Sequence, residues 1–156
     1  MRVGILTGGG DCPGLNAVLR GFVLRHSQRG HETLGFEGGW KGVLENRARL
    51  LTTADVADLW NVGGTLLGTS RTNPYRVDGG VAMLRATWEA RGLGALVAIG
   101  GEDTLGVATK LADEGFAVVG VPKTIDNDLS GTDYTFGFDT AINIAAEAID
   151  RLHTTA

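Results

Sequence analysis

The sequence predicts an α/β fold, a doubly wound and mostly parallel sheet with helices on both faces. Three continuous apolar runs are typical of buried parallel strands: Val3–Thr7, Ala95–Ile99 and Ala117–Val121. Between these runs apolar residues recur at helical spacing, so strands alternate with helices along the chain. Strands that are apolar on both faces need helices on both sides of the sheet, and this requirement gives the predicted layers.

The remaining elements follow from local patterns. Helices are predicted over Leu15–Arg29, Ala54–Asn61, Val81–Arg91, Leu105–Glu114 and Thr140–Leu152. Thr53 is predicted to cap the second helix, and Pro122 to end the third apolar strand. A further strand is predicted at Thr33–Phe36 and a turn at Gly38–Gly42. No internal repeat or linker divides the chain, so residues 1–156 are predicted to form a single domain.

Composition excludes several classes of protein. The chain has 156 residues, of which 43% are hydrophobic and 21% charged, as in ordinary globular domains. A net charge of −4 without a run of Lys or Arg gives no support for nucleic-acid binding. No apolar run approaches the roughly 18 residues of a membrane helix, and the N-terminus has no signal-peptide pattern. The single Cys12 excludes an internal disulfide, so we expect a cytoplasmic protein.

Three of the predicted strands are followed directly by polar segments, namely Gly8–Asp11, Gly100–Asp103 and Pro122–Asp128. Ligands of parallel α/β sheets bind outside the carboxyl ends of the strands. We therefore expect these segments to gather on one rim and to form a phosphate site.

The first of these segments, Gly8–Gly14, allows backbone amides to approach an anion without interference from a Cβ atom. It is neither the dinucleotide fingerprint, because Pro13 stands where the third glycine falls, nor a P-loop, because GK[ST] is absent. The alternative is a tight strand–helix turn that binds nothing.

The other two segments carry carboxylates. Glu102 is predicted to hold Mg²⁺ on a polyphosphate, since hard divalent ions choose oxygen ligands. The alternative is that Glu102 and Asp103 are acids at a helix start, with Thr104 as a cap. In Lys123–Asp128, a carboxylate can accept a proton from an attacking hydroxyl, the alternative being a solvated loop.

Five segments, in this order, resemble the 6-phosphofructokinase family: Thr7–Ala17, Gly63–Arg71, Gly100–Thr104, Pro122–Asp128 and Gly131–Thr140. The resemblance covers the whole chain but only about the first half of a family member. It implies the Rossmann-like lobe of a phosphofructokinase fold. Residues 1–156 then form a truncated N-terminal phosphoryl-donor-binding domain without the second, sugar-phosphate lobe, from a protein that is complete as a homo-oligomer (dimer or tetramer).

The resemblance also implies a role for each matching residue. The donor phosphates are expected to contact Gly9, Gly10, Gly101 and Thr104. Arg71 is expected to lie against the transferring phosphoryl group, and Glu102 matches the Mg²⁺ ligand, which is more often the shorter Asp. Fructose 6-phosphate is expected to contact Thr124, Ile125 and Asp126, with Asp126 as the base for its 1-hydroxyl and Asp128 in support.

The prediction of pyrophosphate rather than ATP as phosphoryl donor rests mainly on Asp103. ATP-dependent relatives carry glycine at this position, which leaves room for the α-phosphate of a nucleotide, whereas Asp103 adds bulk and negative charge. The alternative is a helix N-terminal acid with no donor role. Lys123 is expected to neutralise Asp103 and to stabilise charge on the leaving phosphate, although some ATP-using relatives also carry lysine there.

The function predicted from these features is Mg²⁺-dependent phosphoryl transfer from pyrophosphate to the 1-hydroxyl of fructose 6-phosphate, a reversible reaction of glycolysis. The alternatives are an ATP-dependent enzyme, or a fragment that only binds phosphates. Arg20 matches an arginine of the family's nucleotide effector site but Leu24 does not, so we expect no strong activation by ADP; alternatively, Arg20 is a solvated helix residue. The 156 residues alone are expected to show no turnover and to expose an apolar surface that favours association.

Overall fold

The structure is a computed structural model that describes residues 1–155, so Ala156, the last residue of the predicted domain, lies outside the described part. The strands are β1 (Arg2–Thr7), β2 (Glu32–Phe36), β3 (Ala48–Leu51), β4 (Ala95–Gly100), β5 (Val118–Thr124) and β6 (Phe136–Gly137). They form one sheet in the order β3-β2-β1-β4-β5-β6. Neighbouring strands are parallel except for β2 and β3, which are antiparallel.

Five helices accompany the sheet in the described residues. They are α1 (Leu15–Gln28), α2 (Trp40–Leu44), α3 (Gly80–Arg91), α4 (Glu102–Asp113) and α5 (Phe138–His153), with a short 3₁₀ turn at Pro74–Arg76. The predicted helices near residues 15, 81, 105 and 140 are therefore confirmed with small shifts of their ends. The α4 helix begins at Glu102 rather than Leu105. Its first turn therefore contains Glu102 and Asp103.

The sheet has a buried core on each face. Leu6 of β1 and Leu96 of β4 pack on one side with side chains of α2, α3 and α4. Ile5 and Ile99 of the same two strands pack on the other side with α1. Because side chains alternate along a strand, strands that are apolar throughout supply both cores. The predicted doubly wound, mostly parallel sheet is confirmed.

The predicted helix over Ala54–Asn61, with its cap at Thr53, is wrong, because the structure has a series of turns there. The Asp55 carboxylate folds back onto Thr52, whose backbone N–H donates to Asp55 Oδ2 at 2.7 Å. Hydrogen bonds from Thr52, with help from Arg49, lower the pKa of Asp55 to about 2. Val56 is fully buried in the core on the α1 face, so packing of this one side chain outweighs helix propensity in the segment.

Pro122 does not end the third strand, contrary to the prediction. Strand β5 continues through Pro122 to Thr124, and β6 pairs with it only at Lys123 and Thr124. The proline therefore removes no hydrogen bond to a neighbouring strand on the β6 side. Strands β3 and β6 and the short helix α2 were not predicted.

The α5 helix differs from the others because none of its residues is buried. Its apolar side chains Ile142, Ile144, Ile149 and Leu152 are between 49% and 70% exposed. Within residues 1–155, no helix combines the length and the apolar character needed to cross a bilayer.

Candidate active site

An open cleft of about 420 Å³ lies at the carboxyl ends of β1, β4 and β5. Its lining comes from three polar segments at the ends of these strands or just after them, at residues 9–12, 101–104 and 123–126. The sheet order places β4 between β1 and β5, so the segments are neighbours in space although they are far apart in the chain. The structure thus brings the three predicted segments together on one rim.

Two glycines outside the lining, Gly8 and Gly100, pack closely on Thr104, which lines the cleft. A Cβ atom at Gly8 would lie 2.5 Å from Thr104 Oγ1, and one at Gly100 would lie 2.5 Å from Thr104 Cβ. Any larger residue at either strand end would therefore displace Thr104, which is only 4% exposed. Thr104 lies in the first turn of α4 as a packed residue and not as its N-cap, which is Gly101.

The glycines of the first segment leave the backbone accessible. Gly9 has φ of 79°, a left-handed conformation that favours glycine. A Cβ atom at Gly10 would meet no atom within 4 Å, so the space beside this backbone is open to the cleft. Gly101 closes the opposite side, where a Cβ atom would lie 3.6 Å from the carbonyl oxygen of Lys123. An anion can approach the amides of this rim without a steric obstacle.

Lys123 is the charged group at the bottom of the cleft. The residue is 4% exposed, and its ammonium donates to the carbonyl oxygen of Gly10. Within residues 1–155, no carboxylate oxygen lies within 4.0 Å of the ammonium, so the expected ion pair with Asp103 is absent. A buried charge without a counter-charge destabilises the folded state. An anion bound at Gly9 and Gly10 would remove this cost.

Cys12 lies in the glycine segment, Gly8–Gly14, and links it to the start of α5. Burial raises the pKa of the Cys12 thiol above 9.0. The positive charge of Lys123 lowers this pKa and the negative charge of Asp11 raises it further. The thiol therefore stays protonated at neutral pH, and its Sγ lies 3.6 Å from the carbonyl oxygen of Phe136. A Cβ atom at Gly137 would lie 2.6 Å from this sulfur, so β6 and the glycine segment are in direct contact.

The two acidic residues in the first turn of α4 line the cleft from its other side. Glu102 and Asp103 are both exposed and stand in the first turn of the helix. Residues 1–155 contain no group of three His, Cys, Asp or Glu side chains placed to hold a metal ion. Mg²⁺ commonly binds through one or two carboxylates together with substrate phosphates, so the donor set fits a metal that arrives with a polyphosphate.

The third segment presents Thr124, Ile125 and Asp126 to the cleft. The backbone N–H of Asp126 donates to Thr124 Oγ1 at 3.1 Å, which turns the chain as it leaves β5. Asp126 is exposed, and its carboxylate can meet a ligand hydroxyl. Asp128 is exposed as well, but it is not among the residues that line the cleft.

Asn127 holds this segment in place and was not predicted to have a role. Its φ is 52°, a conformation that asparagine tolerates better than most residues. Its Oδ1 accepts from the backbone N–H of Thr135 at 2.9 Å, and its Nδ2 donates to the carbonyl oxygen of Asp133 at 3.1 Å. The signal in the sequence was the Asn-Asp pair, which is typical of turns.

Arg71 lies in a small neighbouring cavity of about 40 Å³. This cavity shares Gly9, Asp103 and Thr104 with the main cleft, so Arg71 stands on the Asp103 side of the site. Trp40 and Arg76, which were not singled out from the sequence, also line it. All predicted site residues except Asp128 therefore lie in the cleft or in this adjoining cavity.

The predicted effector position lies away from the cleft, on α1. Arg20 Nε donates to the carbonyl oxygen of Ala57 at 3.2 Å. Leu24 packs against the core on the same face of the sheet. The hydrogen bond from Arg20 to Ala57 ties α1 to the turns that follow β3. The absence of strong activation by ADP stays a prediction.

A sequence profile described as Phosphofructokinase matches residues 2–156. The chain belongs to this family. It is 62% identical over 157 residues to a protein of Amycolatopsis methanolica named pyrophosphate–fructose 6-phosphate 1-phosphotransferase, covering 100% of this chain and 46% of the relative. It is 51% identical over 158 residues to a protein of Corynebacterium efficiens named ATP-dependent 6-phosphofructokinase, with the same coverage of both chains.

A solved phosphofructokinase of Saccharomyces cerevisiae has a similar structure. The TM-score is 0.87 at 29% sequence identity, over 99% of this chain and 24% of the solved one. The α/β phosphofructokinase fold predicted from the sequence is therefore confirmed. The chain spans about half the length of the curated relatives it matches.

Proposed function

We propose that this chain forms the phosphoryl-donor side of an enzyme that transfers phosphate from pyrophosphate to the 1-hydroxyl of fructose 6-phosphate. The observation that carries the proposal is the buried Lys123 ammonium, which has no carboxylate partner among residues 1–155 and lies beside the open backbone of Gly10. Such a site is completed by a polyanion. The name of the Amycolatopsis methanolica relative supports pyrophosphate as that polyanion.

Asp103 is proposed to select the donor. It lines both the main cleft and the Arg71 cavity, and the family resemblance implies that it adds bulk and negative charge where the α-phosphate of a nucleotide would lie. Two like charges at 4 Å repel by about 4 kcal/mol at an effective dielectric constant of 20. Asp103 is exposed, so solvent reduces this value several-fold, yet the remainder still disfavours the third phosphate of ATP.

The other cleft residues are assigned roles in the same proposal. Gly9, Gly10, Gly101 and Thr104 bound the space for the donor phosphates. Lys123 stabilises negative charge on the phosphate that leaves, and Arg71 does so on the phosphoryl group in transfer. Asp126 accepts the proton of the sugar hydroxyl, while Thr124 and Ile125 contact the sugar phosphate. Asp128 supports this segment from outside the cleft.

Mg²⁺ is part of the proposal, with Glu102 as its ligand and Asp103 within the same helical turn. When bound, the ion neutralises charge on the polyphosphate. The complete protein is proposed to act in the cytoplasm as a homo-oligomer.

The donor assignment is tested by steady-state kinetics on the full-length protein. We expect turnover of fructose 6-phosphate with pyrophosphate, and kcat/KM with ATP lower by at least about 100-fold. Faster turnover with ATP would contradict the assignment and favour the activity named for the Corynebacterium efficiens relative. Asp103→Gly should raise kcat/KM for ATP, and Asp113→Gly, which removes an acid at the far end of α4, is the matched control.

A further inference from the structure

The loop that carries Arg71, residues 62–71, is held by a side chain of helix α1. Asn16 is the second residue of α1 and is 3% exposed. Its Nδ2 donates to the carbonyl oxygens of Val62 at 3.1 Å and Gly63 at 3.2 Å. Its Oδ1 accepts from the backbone N–H of Leu66 at 2.7 Å. One buried amide therefore fixes three backbone groups of the loop.

A second set of contacts fixes the middle of the same loop to β1. Thr7 Oγ1 donates to the carbonyl oxygen of Gly68 at 2.8 Å and lies 2.8 Å from Thr65 Oγ1. Because the Thr7 hydroxyl has only one hydrogen, the Thr65 hydroxyl is the donor in the second contact. Thr7 is fully buried and directly precedes the glycine segment. The loop and the donor-binding backbone thus share one hydrogen-bonded frame.

Arg71 itself has little else to fix it. Its side chain is exposed, and it takes part in no ion pair within residues 1–155. The position of its guanidinium is therefore set by the backbone of the loop, and so by the contacts that hold this backbone.

We propose that Asn16 is a positioning residue for phosphoryl transfer, because it sets where the Arg71 guanidinium meets the transferring group. This inference rests on the proposed function, which gives Arg71 that contact. Groups that stabilise a transition state must be held within about 0.5 Å of their productive position. A misplacement of about 1 Å reduces the rate by up to about 100-fold even when its cause lies away from the chemistry.

The test is a double-mutant cycle in the full-length protein with Asn16→Ala and Arg71→Ala. Asn16→Ala alone should lower kcat by about 10- to 100-fold. In the Arg71→Ala background the same change should lower kcat by less than about threefold, because the guanidinium that Asn16 positions is gone. Equal factors in both backgrounds would overturn the proposal.

Thr33→Val is the matched control. Thr33 is buried, and its hydroxyl lies 2.9 Å from His26 Nδ1, on β2 and away from the cleft. Losing this bond should reduce stability and change kcat by the same small factor in both backgrounds. If Asn16→Ala does not fold, Thr65→Val takes its place, since it removes the hydroxyl that contacts Thr7 and should show the same dependence on Arg71.

Hydrogen exchange provides a readout that does not depend on activity. Asn16→Ala should speed exchange of the Leu66 amide at least about tenfold, while the Gly8 amide, which donates to the carbonyl oxygen of Ile99, keeps its protection. Unchanged exchange at Leu66 would overturn the proposal. A wild-type protein without pyrophosphate turnover would contradict the proposed function instead, and the cycle would then be measured with ATP as the donor.

Discussion

At the scale of single residues, Lys123 has opposite effects on stability and on binding. Its ammonium is buried beside Gly10 with no carboxylate partner in the described residues, so it disfavours the folded state in the absence of an anion. Phosphate oxygens supply the missing counter-charge. The same atom that weakens the free protein therefore strengthens the complex.

Replacing Lys123 by methionine should separate these effects. In Lys123→Met, the free energy of unfolding of the chain without ligand should stay the same or rise by about 1 kcal/mol, since an apolar side chain of similar length fills the site. Affinity for Mg-pyrophosphate should fall at least tenfold. Urea denaturation and calorimetric titration measure the two quantities.

The matched control for this change is Lys41→Met, because Lys41 is half exposed and pairs with Glu45 at 3.8 Å on the surface. It changes the net charge equally and should leave the affinity unaltered. A loss of more than about 2 kcal/mol of stability in Lys123→Met would show that the ammonium serves the fold and not the ligand.

At the scale of elements, the contact between α1 and β2 is sensitive to pH. His26 of α1 is buried, with its Nδ1 2.9 Å from Thr33 Oγ1 of β2 and its ring stacked on Phe22 at 5.0 Å. Burial lowers the pKa of His26 below 6.5, and the positive charges of His31, the N-terminus and Arg29 lower it further. The folded state therefore favours neutral His26.

The resulting pH dependence has a definite sign. Well above pH 6.5, His26 is neutral in both the folded and the unfolded chain and contributes no slope. As the pH falls below 6.5 the unfolded chain binds a proton first, so the free energy of unfolding decreases until His26 also titrates in the folded state. Urea denaturation from pH 8 to pH 5.5 should show this decrease. His26→Leu should reduce the slope, whereas His153→Leu, an exposed control, should not.

Elements built from long patterns were predictable, and elements decided by one contact were not. The apolar strands β1 and β4 follow from runs that suit only a two-sided core. The segment after β3 has helical spacing, but it forms turns instead of a helix. The Asp55 carboxylate accepts a hydrogen bond from Thr52, and the Val56 side chain is buried in the core. Strand β6 has two residues and no pattern that single-sequence reasoning detects.

The same distinction holds for the site. Its rim was predictable because parallel strands place their carboxyl ends together, and Gly10, Glu102 and Lys123 all lie within three residues of a strand end. The hydrogen bonds of Asn16 to the loop around Leu66 join residues 50 positions apart, and they depend on a loop path that local patterns do not specify. Asp128 is in the same polar segment as Asp126, yet the turn at Asn127 directs it away from the cleft.

At the scale of the whole molecule, the chain exposes one strongly apolar helix face. Ile142, Ile149 and Leu152 recur at helical spacing on α5 and are 49%, 64% and 70% exposed. The relatives are about twice as long as this chain, so the complete proteins have further surface that can cover such a face. Alone, the chain has only other copies of itself to do so.

The isolated chain should therefore self-associate through α5. Burying three side chains of this size contributes about 1.5 to 3 kcal/mol each, before the entropy of association is subtracted. Sedimentation equilibrium should show species heavier than the 16.3 kDa monomer at micromolar concentration. Ile149→Glu should shift the population to monomer, because it places a charge at the centre of the face. Asp150→Asn is the control on the adjacent position, and an association that Ile149→Glu leaves unchanged would place the contact elsewhere, with the exposed Val119 of β5 as the next surface to alter.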